Sequence, residues 1–192
     1  MPILGIWASS RPAAEPDTGA MFPLQVVTVG AAGASSVSFT NIPNTYAHLQ
    51  LRIIAKTNAN ANSDGNLIYR VGNGSVDTGS NYAYHQLQGN GSSASAAGAA
   101  NISSATIGFA TGSNSNNTNT FATYIIDILD YADTNKFKTF RHLEGYDLNG
   151  VEGSVWLRSN LWRSTSAINI ITFSGVTFTQ NSQFALYGVK SA

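Results

Sequence analysis

The stretch Phe121 to Asn149, FATYIIDILDYADTNKFKTFRHLEGYDLN, constrains the fold more than any other part of this chain. Phe121 to Tyr131 is the most apolar, β-branched run in the sequence. A run of that kind bounded by turn residues fits a strand at the centre of a packed sheet. Ala132-Asp133-Thr134-Asn135 supplies polar turn chemistry. Lys136 to Leu143 alternates: Phe137, Thr139, Arg141 and Leu143 point one way, Lys138, Phe140 and His142 the other. Successive side chains of a strand point to opposite faces, so this second strand has two differently used faces. The pair reads as a hairpin at the centre of a β-domain.

The rest of the chain repeats that pattern. Leu24 to Gly30 and Ser36 to Ile42 flank Ala31-Ala32-Gly33-Ala34, which reads as a hairpin. Ala47 to Lys56 alternates, with Leu49, Leu51 and Ile53 inward and His48, Gln50 and Arg52 outward. Thr57 to Gly65 reads as an Asn-rich loop. Asn66 to Gly72 is a strand ending at the turn Asn73-Gly74, and Asn81 to Gln88 is another. Gly89 to Ala100, GNGSSASAAGAA, has too little side-chain area to order itself and is expected as a mobile or partner-supported loop. Ile102 to Ala110 is a weak strand, followed by a polar loop from Thr111 to Asn119. Val151 to Trp162, Ile168 to Phe173 and Gln183 to Val189 complete the set. About ten strands at this spacing, without a helical segment, predict an all-β, antiparallel, two-sheet, jelly-roll-like β-sandwich, with a barrel as second choice.

Residues 1–23 are set apart as an extended N-terminal arm, leaving 24–192 as the sandwich domain. Pro2, Pro12, Pro16 and Pro23 forbid a regular helix and disfavour a central strand. The tip carries Ile3, Leu4, Ile6 and Trp7, and Arg11 to Ala20 is polar and turn-like. Burying side chains of that type stabilises by about 1.5–3 kcal/mol each. The tip either folds back on its own domain or anchors the protein to a partner or sister subunit. Its start lacks a basic leader region, so it reads as part of the mature protein.

Charge is scarce: charged residues make up 10% of the chain and the net charge is zero. Ten basic residues are scattered without a run, so nothing electrostatic points to nucleic acid. Surfaces that meet neighbours in an assembly need few charges. The absence of cysteine excludes disulfides and Cys-ligated metal, and no apolar run reaches the length of a membrane span.

The chemistry-bearing residues make no persuasive constellation. Asp127, Asp130 and Asp133 lie close in sequence, but residues 127 and 130 fall on opposite faces of a strand and no calcium-loop spacing is present. Their bland role is to meet backbone groups, Lys136 or Lys138. His48, His85 and His142 sit in different strands. No nucleophile elbow or phosphate loop occurs. No catalytic residue, cofactor or metal ligand is assigned. Trp156, Trp162, Tyr82 and Tyr84 raise carbohydrate stacking, against the plainer role of core or interface residues.

Several segments together resemble a group of small virion proteins of tailed bacteriophages. They are Met1 to Ser10 (MPILGIWASS), Ile42 to Arg52 (IPNTYAHLQLR), Thr78 to Ala83 (TGSNYA), Ile126 to Lys136 (IDILDYADTNK) and Phe184 to Lys190 (FALYGVK). The resemblance implies a particle component with an attachment arm and a β-sandwich body, on the outer surface of a virion assembled in the host cytoplasm. It brings no catalytic residues. A head decoration, or cement, protein is the first expectation. Such proteins commonly form trimers, brace the major capsid protein and hold on by arms, here through Ile3, Leu4, Ile6 and Trp7. The alternative is a tail-fibre or host-adhesion module attached to a tail component, with Gly89 to Ala100 and Thr111 to Asn119 touching a host glycan. A glycoside hydrolase is the third.

Overall fold

The computed structural model describes residues 20–65, 67–113 and 118–190. The arm tip with Ile3, Leu4, Ile6 and Trp7, and part of the Thr111 to Asn119 loop, lie outside the described residues. Every regular element described is a β-strand, and the strands pair antiparallel in a β-sandwich.

The larger sheet has eight strands. In chain order these are β1 (Met21–Thr28), β3 (His48–Ala55), β7 (Tyr82–Gly89), β8 (Ala94–Ile102), β11 (Ala122–Ile128), β12 (Lys138–Asp147), β13 (Gly153–Trp162) and β15 (Gln183–Val189). Their spatial order is β1-β15-β3-β11-β12-β13-β7-β8. The smaller sheet has the order β2-β14-β5-β6, from β2 (Val37–Phe39), β14 (Ile170–Ser174), β5 (Ile68–Asn73) and β6 (Ser75–Val76), with β9 (Ala105–Thr106) also on β5. A short ladder joins β4 (Ser63–Asp64) and β10 (Ala110–Thr111).

The hairpin expected from Phe121 to Asn149 stands at the middle of the large sheet as β11 and β12, with Ile125 opposite Leu143. Its alternation holds: Lys138, Phe140, His142, Glu144 and Tyr146 face inward. β3 likewise turns Leu49, Leu51 and Ile53 into the core. Against them lie Phe39, Val71, Ile171 and Phe173 of the small sheet. The layers meet through rings, Phe173 with Phe184 at 5.3 Å and Tyr69 with Phe140 at 5.6 Å between centroids, each such side chain contributing about 1.5–3 kcal/mol by leaving water. The Asn73-Gly74 turn joins β5 to β6, with Gly74 at a φ of +80° that a side chain would strain.

Four expectations are corrected. The segments around Leu24 to Gly30 and Ser36 to Ile42 do not form a hairpin: β1 pairs with β15 in the large sheet and β2 with β14 in the small one. The intervening chain crosses between layers instead. β1 also begins earlier than expected, at Met21, so Pro23 lies within a strand. It is tolerated there because β1 is an edge strand and the register shifts between Pro23 and Gln25.

The low-complexity run Gly89 to Ala100 is not mainly a loop. Ala94 onward forms β8, paired with β7 through Gly98↔His85 and Ala96↔Leu87. Main-chain hydrogen bonds suffice at a sheet edge, where no side chain need be buried. Asn90 makes the turn, its Oδ1 accepting from the Ser92 and Ser93 amides at 3.0 and 2.8 Å. Finally, Ile102 to Ala110 is not one strand but the two short pieces β9 and β10. Between them the chain runs over the polar cluster described next.

Candidate interaction face and buried polar cluster

The two faces of the large sheet differ in kind. On the inner face, β12 and β13 contribute His142, Glu144, Arg158 and Asn160, all buried. His142 Nδ1 lies 2.8 Å from Glu144 Oε1. A carboxylate only accepts, so Nδ1 carries the proton. His142 Nε2 then accepts from the Tyr69 hydroxyl at 2.9 Å and faces Asn160 Nδ2 at 3.3 Å. Tyr69 comes from β5, so the cluster ties the two sheets together. Burial, then the Glu144 charge, push the Tyr69 hydroxyl well above its ordinary pKa and keep it a donor.

The strip Ala105 to Phe109 closes this cluster. The Gly108 amide donates to Glu144 Oε2 at 2.5 Å, and Asn160 pairs with the Thr106 main chain in both directions at 3.1 Å. A β-carbon at Gly108 would stand 2.4 Å from Glu144 Oε2 and 3.0 Å from the Trp156 ring, so only glycine permits this approach. The Arg158 Nε is 3.7 Å from Glu144 Oε1, and the guanidinium sits over the Tyr84 ring at 5.5 Å. Burial pulls its pKa below the ordinary value, opposed by Glu144. A carboxylate–histidine–hydroxyl relay is chemistry that catalysis can use; here the His142 and Glu144 side chains are fully buried. They work as a brace.

The other candidate groups are dispersed. Asp127 lies on the outer face, paired with Arg141 Nη2 at 2.7 Å and accepting from Gln50 Nε2 at 2.8 Å. Glu144 is on the inner face. These two carboxylates cannot flank one glycosidic bond. Asp130 pairs with Lys136 at 2.7 Å, and its main-chain amide donates to His48 Nδ1 at 3.0 Å. Asp133 meets Lys136 at 3.3 Å and accepts from the Asn135 amide at 2.7 Å. Lys138 donates to the carbonyl oxygens of Asp133, Lys136 (2.8 Å) and Thr165 (3.2 Å), pinning the hairpin turn. The histidines do not gather: His142 is buried, His48 half-buried and His85 exposed.

Of the four rings weighed for sugar stacking, three take the plainer role of core residues. Trp156, Trp162 and Tyr82 are buried. Trp156 packs between Tyr146 and Phe109. Trp162 Nε1 donates to Asp77 Oδ2 at 2.8 Å, and Tyr82 Oη bonds the Val71 main chain. A ring stacks on a sugar only if its face is open; Tyr84, half-buried under Arg158, does not offer such a platform.

The outer face is where apolar surface stands in water. Leu87, Leu157, Leu143 and Ile125 are direct cross-strand partners on four adjacent strands, β7, β13, β12 and β11. They are 60%, 52%, 54% and 40% exposed. Val155 and Ile54 extend the patch on neighbouring rows, and Ala96 and Arg52 end the central row on β8 and β3. Beside it lies a shallow groove of about 700 Å³ lined by Leu87, Ala96, Leu129, Thr139, Arg141 and Leu157. Monomers seldom expose contiguous apolar patches beyond a few hundred Å² unless something binds there.

A second groove, about 860 Å³, opens where the β7–β8 and β12–β13 turns meet, with Asn90, Ser92, Asp147, Glu152 and Phe121 in its wall. Glu152 is held below the usual carboxylate pKa chiefly by the Tyr146 hydroxyl, helped by Ser63. Among the described residues, no group of three or more His, Asp or Glu side chains is placed to hold a metal ion. Compared with known protein families, characterised proteins and solved structures, the chain matches none.

Sequence reasoning missed the inner cluster and the outer row. The signal was present in β12, whose two faces each carry apolar residues: Phe140 and Tyr146 on one, Leu143 on the other.

Proposed function

We propose that this chain is a non-enzymatic structural protein of a tailed-phage particle, a head decoration protein added in many copies to the capsid surface. The observation that carries this reading is the open apolar row Leu87–Leu157–Leu143–Ile125 on the outer face of the large sheet, flanked by the charged groups Arg52, Asp127 and Arg141. Together with the N-terminal segment bearing Ile3, Leu4, Ile6 and Trp7, it gives two apolar surfaces for burial between subunits. Low overall charge and the resemblance to small phage virion proteins support the same reading. Holding neighbouring capsid subunits together would be a matter of area buried, with no chemical step. A jelly-roll relationship and a trimeric state belong to the same proposal.

The test is the copy number of this chain in purified particles of the phage that encodes it, by quantitative mass spectrometry against the major capsid protein. Hundreds of copies are expected; a handful per particle would overturn the decoration reading. The adhesion reading retains one specific support, the polar groove between the β7–β8 and β12–β13 turns, which sits among loops with hydroxyl, amide and carboxylate groups suited to sugar hydroxyls. It predicts few copies and glycan binding that Glu152→Gln weakens.

A further inference from the structure

The tip of the N-terminal segment carries Ile3, Leu4, Ile6 and Trp7, the outer sheet face carries an exposed apolar row, and their dimensions fit. The central row from Leu87 to Ile125 spans three strand spacings, about 14 Å. Ile3 to Trp7, extended, covers about 13 Å. The segment joins the fold at Ala20, next to β1, where Met21 pairs with Val189 and Val189 with His48. From there to Leu143 is four strand spacings across and four residues along β3, about 23 Å on the diagonal. Twelve residues lie between Trp7 and Ala20, and the thirteen steps from one to the other reach up to about 43 Å, which leaves length for the reversal. The path crosses the exposed Arg52, and the connecting residues carry Glu15 and Asp17.

We infer that in the free subunit Ile3, Leu4, Ile6 and Trp7 dock on the outer face of their own large sheet, over Leu143 and Leu157, with the groove beside Leu87 and Leu129 as the seat of the Trp7 ring. A tether of this length gives its tip an effective concentration near millimolar at the face, which favours the chain's own segment over a second copy's at ordinary protein concentrations. Mutual burial keeps both apolar surfaces from mispairing before assembly. The inference stands whether or not the chain is a particle component.

The chain has no cysteine, so an introduced pair reports without interference. Ile6→Cys with Leu157→Cys, mildly oxidised, should give an intrachain disulfide as the major product in peptide mapping of the full-length protein. Persisting free thiols would overturn the inference. Disulfides joining isotopically labelled to unlabelled copies would also overturn it, in favour of segment exchange. As a second measurement, acrylamide quenching of tryptophan fluorescence should rise several-fold in Leu143→Asp/Leu157→Asp. Trp156 and Trp162 are buried on the inner side, so the change reads Trp7. Unchanged quenching in the folded variant would contradict docking.

Discussion

The inner and outer faces of β12 and β13 are built from the same two strands and put to opposite uses. Inward, Glu144, His142 and Asn160 are buried and hydrogen-bonded among themselves, to Tyr69 and to the Ala105 to Phe109 strip, and the buried Arg158 guanidinium faces Glu144 at 3.7 Å without a hydrogen bond from its Nε or Nη1. Outward, Leu143 and Leu157 stand in water on paired positions. A stable isolated domain would place leucine inside and the charged groups outside. The inversion teaches that the inner polar groups help to specify how the two sheets meet, while the outer leucines form the exposed row on which the proposed role rests.

The comparison breaks most visibly on the inner side. Glu144→Ala removes the acceptor for His142 and Gly108 and leaves Arg158 as an uncompensated buried charge. A loss of about 3–5 kcal/mol is expected, read as a lowered urea midpoint. A loss below about 1 kcal/mol would mean the cluster is not a brace.

On the outer side, Leu143→Asp/Leu157→Asp should leave the sandwich core intact. Exposed sites away from special contacts usually change stability by no more than about 0.5 kcal/mol each. A larger loss that vanishes when residues 1–19 are removed from both proteins would measure the docked N-terminal segment; a larger loss that persists without them would show that the outer face is tied into the fold.

A smaller effect sharpens the picture at the edge of the inner side. At Asp77, burial alone would raise the carboxyl pKa. The Trp162 indole, the Asn81 amide and the Gly79 amide donate to it and hold it below the usual carboxylate value. A folded-state pKa that is depressed gives stability present above the unfolded pKa and lost as pH falls through the folded one. Unfolding in acid should therefore steepen below about pH 4, where an ordinary Asp begins to protonate. Asp77→Asn should flatten that limb while leaving the neutral-pH side less affected. An identical acid profile in the variant would remove Asp77 from the account.

Much of the architecture was legible in the residues. The apolar run of β11, the alternation of β3 and the Asn73-Gly74 turn each carry a local signal that the sheet confirms. What local patterns do not carry is pairing between distant segments. Nothing around Ala31 to Ala34 distinguishes a hairpin from a crossing between sheets, and the partners of β1 and β2 lie more than a hundred residues away. β8 escaped for another reason: its order comes from main-chain bonding to β7, to which Ala and Gly side chains contribute little. The site was hidden by ambiguity of face. Period-two alternation in β12 separates Phe140 and His142 from Leu143 but does not say which side is dry, and the partners that hold His142 and Glu144 inside, Tyr69 and Gly108, arrive from elsewhere in the chain.

The most direct measurement is incorporation of Leu143→Asp/Leu157→Asp into particles, with its urea midpoint measured on the same preparation. The account predicts a protein that folds cooperatively, with a midpoint lowered by no more than release of the N-terminal segment costs, and is lost from the particle. Incorporation at wild-type copy number by that folded variant would contradict the assignment of the outer face as the surface that holds the protein in its assembly.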